Sequence, residues 1–167
     1  MAANGRGEDE EYRAREKHHR LARHLYRGRV AVAFTMCLRD GKKAFTDVAV
    51  VARLKDMLGE ELSRFGCSAV VYCFMPDHLH VLVKGKEPEA DVLGAIVAFK
   101  QRSGYWLRRQ GRKVRWQKDF YDHVLREEED MADVAKYIAH NPVRAGLCET
   151  AEEYAFTGSI PFIGKQE

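Results

Sequence analysis

Two histidines separated by one residue, His78 and His80, are the side chains of this 167-residue chain whose spacing first suggests chemistry. They lie in a strongly apolar run, and in a strand the residues i and i+2 point to the same face of the sheet. Neutral imidazole is the commonest side-chain ligand of metal ions, so the pair could hold a divalent cation. It could also be two hydrogen-bonded histidines on a half-exposed sheet face. These two residues alone leave both interpretations open.

A tyrosine and an asparagine at the end of the last predicted helix could complete such a site. Tyr137 and Asn141 are four residues apart, so they share a helix face if the last turn extends to Asn141. The side-chain carbonyl of Asn141 could supply a third ligand, with Tyr137 beside the metal as a nucleophile. A free tyrosine has a pKa of about 10, so it needs a metal or a base to assist its deprotonation at neutral pH. Taken alone, Tyr137 is more simply an amphipathic boundary residue with a packed ring and a solvated hydroxyl.

A block of basic residues indicates a polyanionic partner. The whole chain carries 28 Lys and Arg against 25 Asp and Glu, a net charge of only +3. The stretch 100–118 carries eight basic residues and no acidic one, whereas a solvated helix face usually mixes signs. The eight are Lys100, Arg102, Arg108, Arg109, Arg112, Lys113, Arg115 and Lys118. We therefore expect this block to hold a nucleic acid backbone. Three interleaved aromatic residues, Tyr105, Trp106 and Trp116, could stack on unpaired bases or pack in the core.

The elements that must position these residues follow one another in the order strand, helix, strand, strand, helix, strand, helix. The predicted bounds are a strand at 29–38, a helix from Thr46 or Asp47 to 65, two strands within 69–84 joined at Pro76, a helix from Pro88 to 109, a strand at 120–125 and a helix from Asp130 to about 141, followed by a loop-like tail from 143. This order predicts an α+β fold, with a ferredoxin-like antiparallel sheet, helices on one face and a C-terminal helix that carries the tyrosine.

The length is that of one domain, which we predict at residues 28–167 behind a mobile N-terminal arm of mixed charge at residues 1–27. No apolar run reaches the roughly 18 residues needed to span a bilayer, and the N-terminus lacks the apolar region of a signal peptide. None of the four cysteines forms a CxxC pair, so reduced thiols are expected. These features predict a soluble, cytoplasmic protein of bacterial type.

Two stretches of sequence resemble the motifs of a known family. MPDHLHVLVK, at residues 75–84, resembles the His-hydrophobic-His motif of the HUH single-strand transposases. WQKDFYDHVLR at residues 116–126, followed by YIAHNPVRAGL at residues 137–147, is similar to the signature of REP-associated tyrosine transposases, a branch of the single-tyrosine transposase family. The similarity extends from about Gly28 to Phe162, nearly the whole chain. The histidine pair alone is a weak signal, but the combination at this distance is specific.

The resemblance implies a ferredoxin-like fold and a Mg²⁺- or Mn²⁺-dependent activity that nicks and joins DNA strands. It implies that His78 and His80 are metal ligands, that Tyr137 forms a 5′-phosphotyrosine, and that Asn141 matches the third ligand. Asp77 departs from the family, which commonly has asparagine there; it could bond to a ligand histidine or be an inert turn residue. The implied substrates are single-stranded DNA hairpins with a short guide tetranucleotide, bound by a monomer or a homodimer.

The principal alternative is a domesticated transposase that binds hairpin DNA without catalysis. All four proposed active-site positions are filled, which favours a retained activity. A histidine-triad nucleotide hydrolase would need a third histidine where the chain has Leu82, and a two-histidine phosphoesterase would need two separated His-x-Thr motifs, which the chain lacks. Serine or cysteine hydrolase motifs are also missing, and a structural zinc site would need more Cys and His ligands at suitable spacing.

Overall fold

A computed structural model describes residues 20–164 as a sheet of five strands with four helices. The strands are β1 Ala31–Cys37, β2 Cys67–Met75, β3 His78–Gly85, β4 Tyr121–Val124 and β5 Thr157–Ile160, and the helices are α1 Val48–Arg64, α2 Val92–Arg109, α3 Met131–Ala139 and α4 Asn141–Arg144. All neighbouring strands are antiparallel, in the order β4-β1-β3-β2-β5. The order of the first four strands is ferredoxin-like, so the predicted α+β fold is confirmed. Within residues 20–164, no helix is long and apolar enough to cross a membrane.

The two long helices begin at aspartates that cap them. Asp47 accepts hydrogen bonds from two backbone amides in the first turn of α1, and Asp91 accepts one in the first turn of α2 at 2.9 Å. These bonds satisfy N–H groups that have no partner inside the helix. The second helix therefore begins at Val92 rather than at Pro88, because the cap lies at Asp91. Gly66 follows α1 with a φ of +74°, a conformation that glycine adopts without a steric penalty.

The helices cover both faces of the sheet. Leu79, Val81 and Val83 of β3 lie in the larger core, together with the buried residues of α1 and α2. Leu82 lies in a second, smaller core that contains Ile138 of α3. Successive residues of a strand point to opposite faces, so α1 and α2 pack on one face and α3 packs on the other. His78 and His80 are an even number of positions away from Leu82 along β3, so they lie on the same face as Leu82, the face that α3 covers.

The C-terminal tail adds a strand to the sheet, so the expectation of a loop-like tail is wrong. Strand β5 pairs with β2, and the backbone N–H of Phe74 donates to the carbonyl of Phe156 at 2.9 Å. The hydroxyl of Tyr154 donates to the carbonyl of Phe74 at 2.7 Å. A strand of four residues is too short to show a clear alternation of apolar and polar residues, which is why the sequence pattern did not reveal it.

Packing of the domain begins before residue 28, where the sequence analysis ended the arm. Tyr26 is fully buried, and its hydroxyl donates to the carboxylate of Asp122 on the edge strand β4. Burial and this carboxylate both raise the pKa of Tyr26, so its hydroxyl stays protonated. Arg27 pairs with Asp91 at 3.3 Å. These contacts attach the segment before β1 to the domain, whereas residues 1–19 of the predicted arm lie outside the described residues.

All four cysteines lie in the described part of the chain and are free thiols. Cys67 and Cys73 are buried, and burial raises the pKa of Cys67 to about 12 and that of Cys73 to about 11. Both thiols therefore stay protonated and serve as small apolar residues of the core.

Candidate functional site

Strand β3 holds the two histidines with their Nε2 atoms facing each other, 3.0 Å apart. The other nitrogen of each ring is also bonded. Nδ1 of His78 lies 2.6 Å from Oδ1 of Asp77, and Nδ1 of His80 lies 2.9 Å from Oγ1 of Thr35. A carboxylate only accepts hydrogen bonds, so we assign the His78 proton to Nδ1. The Nε2 atom of His78 is then an acceptor that points towards the second ring.

The geometry of the pair fits a divalent cation. Two ligands at about 2.1 Å from an ion and at right angles to each other are separated by about 3.0 Å, the distance observed between the Nε2 atoms. The contacts at Nδ1 keep both rings oriented, as the outer partners of metal-binding histidines do. The hydroxyl of Thr35 can accept as well as donate, so His80 can carry its proton on Nδ1 when Nε2 binds a metal.

Within residues 20–164, a third protein ligand beside the two histidines would be of another type than His, Cys, Asp or Glu. No group of three or more such residues within the described region could hold a metal ion. An amide oxygen, as predicted for Asn141, meets this requirement, and so do water and a phosphate oxygen.

Thr35 is a residue of the site that the sequence analysis missed. It lies opposite His80 on the neighbouring strand β1, and Cys73 lies opposite His80 on β2. Tyr121 of β4 lies opposite Thr35, so a second tyrosine belongs to the same row across the sheet. Two strand spacings put the backbone of Tyr121 about 10 Å from that of His80. No local sequence signal connects these residues, because they meet only through strand pairing.

Tyr137 lies on the exposed side of α3, and its side chain is 54% exposed. The next residue, Ile138, is buried in the smaller core and fixes the helix to the sheet. Tyr137 lines a shallow cavity of about 390 Å³ with Asp133, Lys136, His140, Val143 and Arg144. The histidines are not among these lining residues. The structure thus brings α3 to the histidine face, but it does not place Tyr137 and the histidine pair in one cavity.

One guanidinium group contacts both Tyr137 and Asn141. Nη2 of Arg144 donates to the backbone carbonyl of Tyr137 and to Oδ1 of Asn141, each at 2.7 Å. Cζ of Arg144 lies 3.8 Å from the centre of the Tyr137 ring, well within the range of a cation–π contact. Nδ2 of Asn141 is buried and has no hydrogen-bond partner among the described residues. An amide oxygen has two lone pairs, so Oδ1 of Asn141 retains the capacity to bind a metal.

Part of the basic block lines a groove beside α2, on the opposite side of the sheet from α3. This basic groove has a volume of about 540 Å³. Its cationic lining residues are Arg20, Arg39, Lys100, Arg108, Arg115 and Lys118. Phe120 also lines it, with Cζ of Arg20 at 4.2 Å and Nζ of Lys100 at 5.4 Å from the ring centre. Burial lowers the pKa of Lys100, and the neighbouring charges of Arg20 and Arg39 add to this effect, against the opposing Asp119.

The remaining residues of the block do not line the basic groove. Arg102 pairs with Glu61 at 3.3 Å, and Arg112 pairs with Asp47 at 2.8 Å. Arg109 donates to the hydroxyl of Tyr105 at 3.3 Å, and Lys113 is also absent from the groove lining. The block therefore splits into a part that faces the groove and a part that lies elsewhere, largely in contacts within the protein.

The aromatic residues of the block also differ in their environment. Trp116 is only 6% exposed, and its Nε1 donates to Oγ of the buried Ser103 at 2.9 Å, so it is a core residue. Trp106 is partly buried against the same core. Tyr105 is 56% exposed, which makes it the one of the three that solvent or a base could reach most easily.

Comparison with known proteins gives similarities over most of the chain. Residues 27–141 match the family described as IS200-like transposases. A Haemophilus influenzae protein described as a REP-associated tyrosine transposase is 24% identical over 136 residues, which cover 74% of this chain and 76% of that protein. The solved structure of a REP-associated tyrosine transposase bound to a REP hairpin has a TM-score of 0.70 at 20% identity, over 84% of this chain and 81% of that chain. At this identity the structural match establishes the fold alone.

Proposed function

The chain belongs to the family of IS200-like transposases, and we propose that it nicks and rejoins single-stranded hairpin DNA through a covalent 5′-phosphotyrosine at Tyr137. The observation that carries the proposal is the histidine pair, whose Nε2 atoms lie 3.0 Å apart on the sheet face that α3 covers. Two imidazoles turned towards one point, each anchored through its other nitrogen, suit a metal-assisted reaction of phosphate better than they suit a core.

His78 and His80, with Oδ1 of Asn141 as the third protein ligand, would hold Mg²⁺ or Mn²⁺. When bound there, such an ion would supply polarisation of the scissile phosphate and would lower the pKa of a nearby hydroxyl. Asp77 has a role in this proposal, because its carboxylate accepts from Nδ1 of His78 and keeps the ring oriented. The departure from the asparagine that the family commonly carries therefore preserves an acceptor at this position.

The transfer itself conserves the number of phosphate ester bonds. Oη of Tyr137 loses its proton and bonds to the phosphorus while the bond from phosphorus to the 3′ oxygen breaks, and the released 3′ oxygen takes up a proton, so the number of protons is unchanged. The 5′ end remains on the protein as a phosphotyrosine, and the 3′-hydroxyl of the same or another strand can attack it in the reverse direction. This reversibility allows one tyrosine both to cut and to rejoin DNA.

The basic groove would hold the backbone of the hairpin. Six cationic side chains line it, and none of its lining residues is acidic. These cations repel one another in the free protein, and bound phosphates would attract all of them. The groove and the histidines lie on opposite faces of the sheet, but one edge strand joins them. Phe120 lines the groove, whereas the next residue, Tyr121, lies in the row of His80. A single strand that leaves the hairpin could reach the histidine face by crossing this edge.

A nicking assay on labelled single-stranded hairpins with Mn²⁺ tests the proposal. Wild-type protein should form a covalent DNA adduct, and Tyr137→Phe should form none while binding the hairpin within a few fold of wild type. Tyr105→Phe is the matched control, because its side chain is exposed to the same degree and lies on α2. An adduct that persists in Tyr137→Phe would contradict the assignment and direct attention to Tyr121. Hairpin binding without any adduct would support the alternative of a non-catalytic DNA-binding protein.

A second assay addresses whether the tyrosine acts within its own chain. A mixture of His78→Ala and Tyr137→Phe proteins contains one intact histidine pair and one intact tyrosine, on different chains. Adduct formation by the mixture would show that the tyrosine of one chain acts with the histidine pair of another chain. If each variant is inactive alone and the mixture is inactive too, the tyrosine acts with the histidines of its own chain.

A further inference from the structure

We infer that Arg144 is a positioning residue, which fixes the ring of Tyr137 and the amide of Asn141 as one unit for the transfer step. The inference rests on the proposed role of Tyr137 as the nucleophile. Nothing in the sequence motif distinguishes Arg144 from the neighbouring residues of NPVRAGL, and the assignment comes from the three contacts of its guanidinium group.

The first contact fixes the backbone of the tyrosine. The carbonyl of Tyr137 lies in the last turn of α3, where carbonyls run short of amide partners inside the helix. Pro142 follows closely and contributes no N–H group. The chain turns after α3 into the short helix α4, and this turn brings the side chain of Arg144 back to the end of α3, where its Nη2 bonds to the carbonyl of Tyr137.

The second contact fixes the ring. More than half of the Tyr137 side chain is exposed. Cζ of Arg144 lies over the ring, 3.8 Å from its centre, where the cation–π attraction favours one orientation. A tyrosine has two side-chain torsions, so a fixed backbone and a ring held by this contact together define where its hydroxyl points.

The third contact couples the tyrosine to the proposed third ligand. The same Nη2 atom that bonds to the Tyr137 carbonyl also donates to Oδ1 of Asn141. A displacement of the guanidinium group would therefore disturb the nucleophile and the ligand together. A misplacement of about 1 Å can slow a positioned reaction about 100-fold, and we expect Arg144→Ala to slow adduct formation by about 10- to 100-fold at saturating hairpin.

Two simpler roles for Arg144 lead to different results. A residue that only binds phosphate would act through its charge, so lysine would replace it fully and its loss would weaken hairpin binding. A residue that only stabilises the end of α3 would change the melting temperature without a specific effect on the tyrosine. Lysine keeps the charge and one donor but has neither the planar face nor the fork of donors, so a positioning role predicts only partial recovery in Arg144→Lys.

A direct readout of the tyrosine is independent of catalysis. We would label the protein with 3-fluorotyrosine and assign the ¹⁹F resonance of Tyr137 by its disappearance in Tyr137→Phe. Arg144→Ala should shift that resonance towards the position of free fluorotyrosine, and Arg53→Ala should leave it in place. Arg53→Ala is a suitable control because it removes the same charge at a residue of α1, which packs on the other face of the sheet. An unmoved resonance in Arg144→Ala would overturn the inference.

The same variants are then compared in single-turnover adduct formation. Arg144→Ala should keep the wild-type hairpin affinity within error and lower the melting temperature only slightly. Its rate of adduct formation should fall by about 10- to 100-fold, as stated, and millimolar guanidinium, but not urea, should restore part of that rate. A wild-type rate in Arg144→Ala or in Arg144→Lys would overturn the inference while leaving the proposed function intact. Failure of the wild-type protein to form any adduct would instead overturn the proposed function, and the fluorine resonance would still report whether the contact exists.

Discussion

Replacement of Arg108 and Arg115 with alanine removes two of the six cationic side chains that line the basic groove. The matched control replaces Arg109 and Arg112, which belong to the same stretch of sequence but lie outside the groove. Arg112 is paired with Asp47 at 2.8 Å, and Arg109 donates to the hydroxyl of Tyr105. Both double variants lose the same net charge, so a difference between them reports where the charges lie.

The expected size follows from counterion release. Each phosphate contact on a duplex stem contributes about 0.9 to the slope of log K against log salt, so two lost contacts should reduce the slope by about 1.8. A rise from about 50 to about 200 mM salt weakens binding about 3.5-fold per contact, or about 12-fold for two contacts. The groove variant should therefore bind more weakly than its parent at low salt. Over this salt range, its affinity should fall by a factor about 12 times smaller than the factor by which the affinity of the parent falls. The control variant should keep the wild-type slope.

Fluorescence anisotropy with a labelled hairpin at several salt concentrations measures both slopes. The two double variants and their parent are made in a Tyr137→Phe background, so that binding is measured without cleavage. Equal slopes for the groove variant and its parent would refute the assignment of the groove as the binding surface. A larger loss of slope in the control would place the DNA on the other part of the basic block.

Three further changes have defined outcomes. Asp77→Ala removes the acceptor for a proposed ligand histidine and should weaken Mn²⁺ binding by about 10- to 100-fold in calorimetry, and an unchanged affinity would contradict that role. Gly85→Ala would place a Cβ in collision with the carbonyl oxygen of Gly28, so urea denaturation should show a loss of about 3 kcal/mol in the free energy of unfolding, whereas a neutral effect would contradict the close approach. The hydrogen bond from His123 lowers the pKa of Glu129 below its usual value of 4.5. The stabilisation by Glu129 is therefore present above about pH 4.5 and is lost as the pH falls through the lower folded value, so the melting temperature of Glu129→Gln should fall less steeply in acid, and an equally steep fall would refute this contribution.

The parts of the structure that depend on local spacing could be predicted from the sequence. The apolar residues of α1 recur at helical intervals and its cap is an aspartate at the expected place, so both the helix and its buried side follow directly. The alternation of β3 likewise places both histidines on one face, opposite to Leu79. These features need no knowledge of which strands are neighbours.

The contacts that depend on strand pairing could not be predicted. Thr35 meets His80 only because β1 pairs with β3 in one register, and a slip by one residue would bring Met36 or Phe34 there instead. The basic groove is similar in this respect, since Arg20 and Arg39 come from distant parts of the chain. The number of basic residues along the sequence does not show which of them line the groove and which pair with a carboxylate of the protein itself.

The attachment of α3 has a consequence for the dynamics of the protein. Ile138 is the one buried residue of this helix, and the other apolar residues of the helix are only partly covered. Burial of one isoleucine contributes about 2 to 3 kcal/mol and the partly covered residues add less than full burial would, so α3 should detach from the sheet more often than the core unfolds. A free energy of about 3 kcal/mol corresponds to an open fraction of roughly 1% or less, which opening on a microsecond to second timescale would sample continually. Hydrogen exchange should therefore be fastest, among the three longer helices, in the helix that carries Tyr137. Such openings would let the tyrosine travel between its own shallow cavity and a histidine pair, on the same chain or on a neighbouring one.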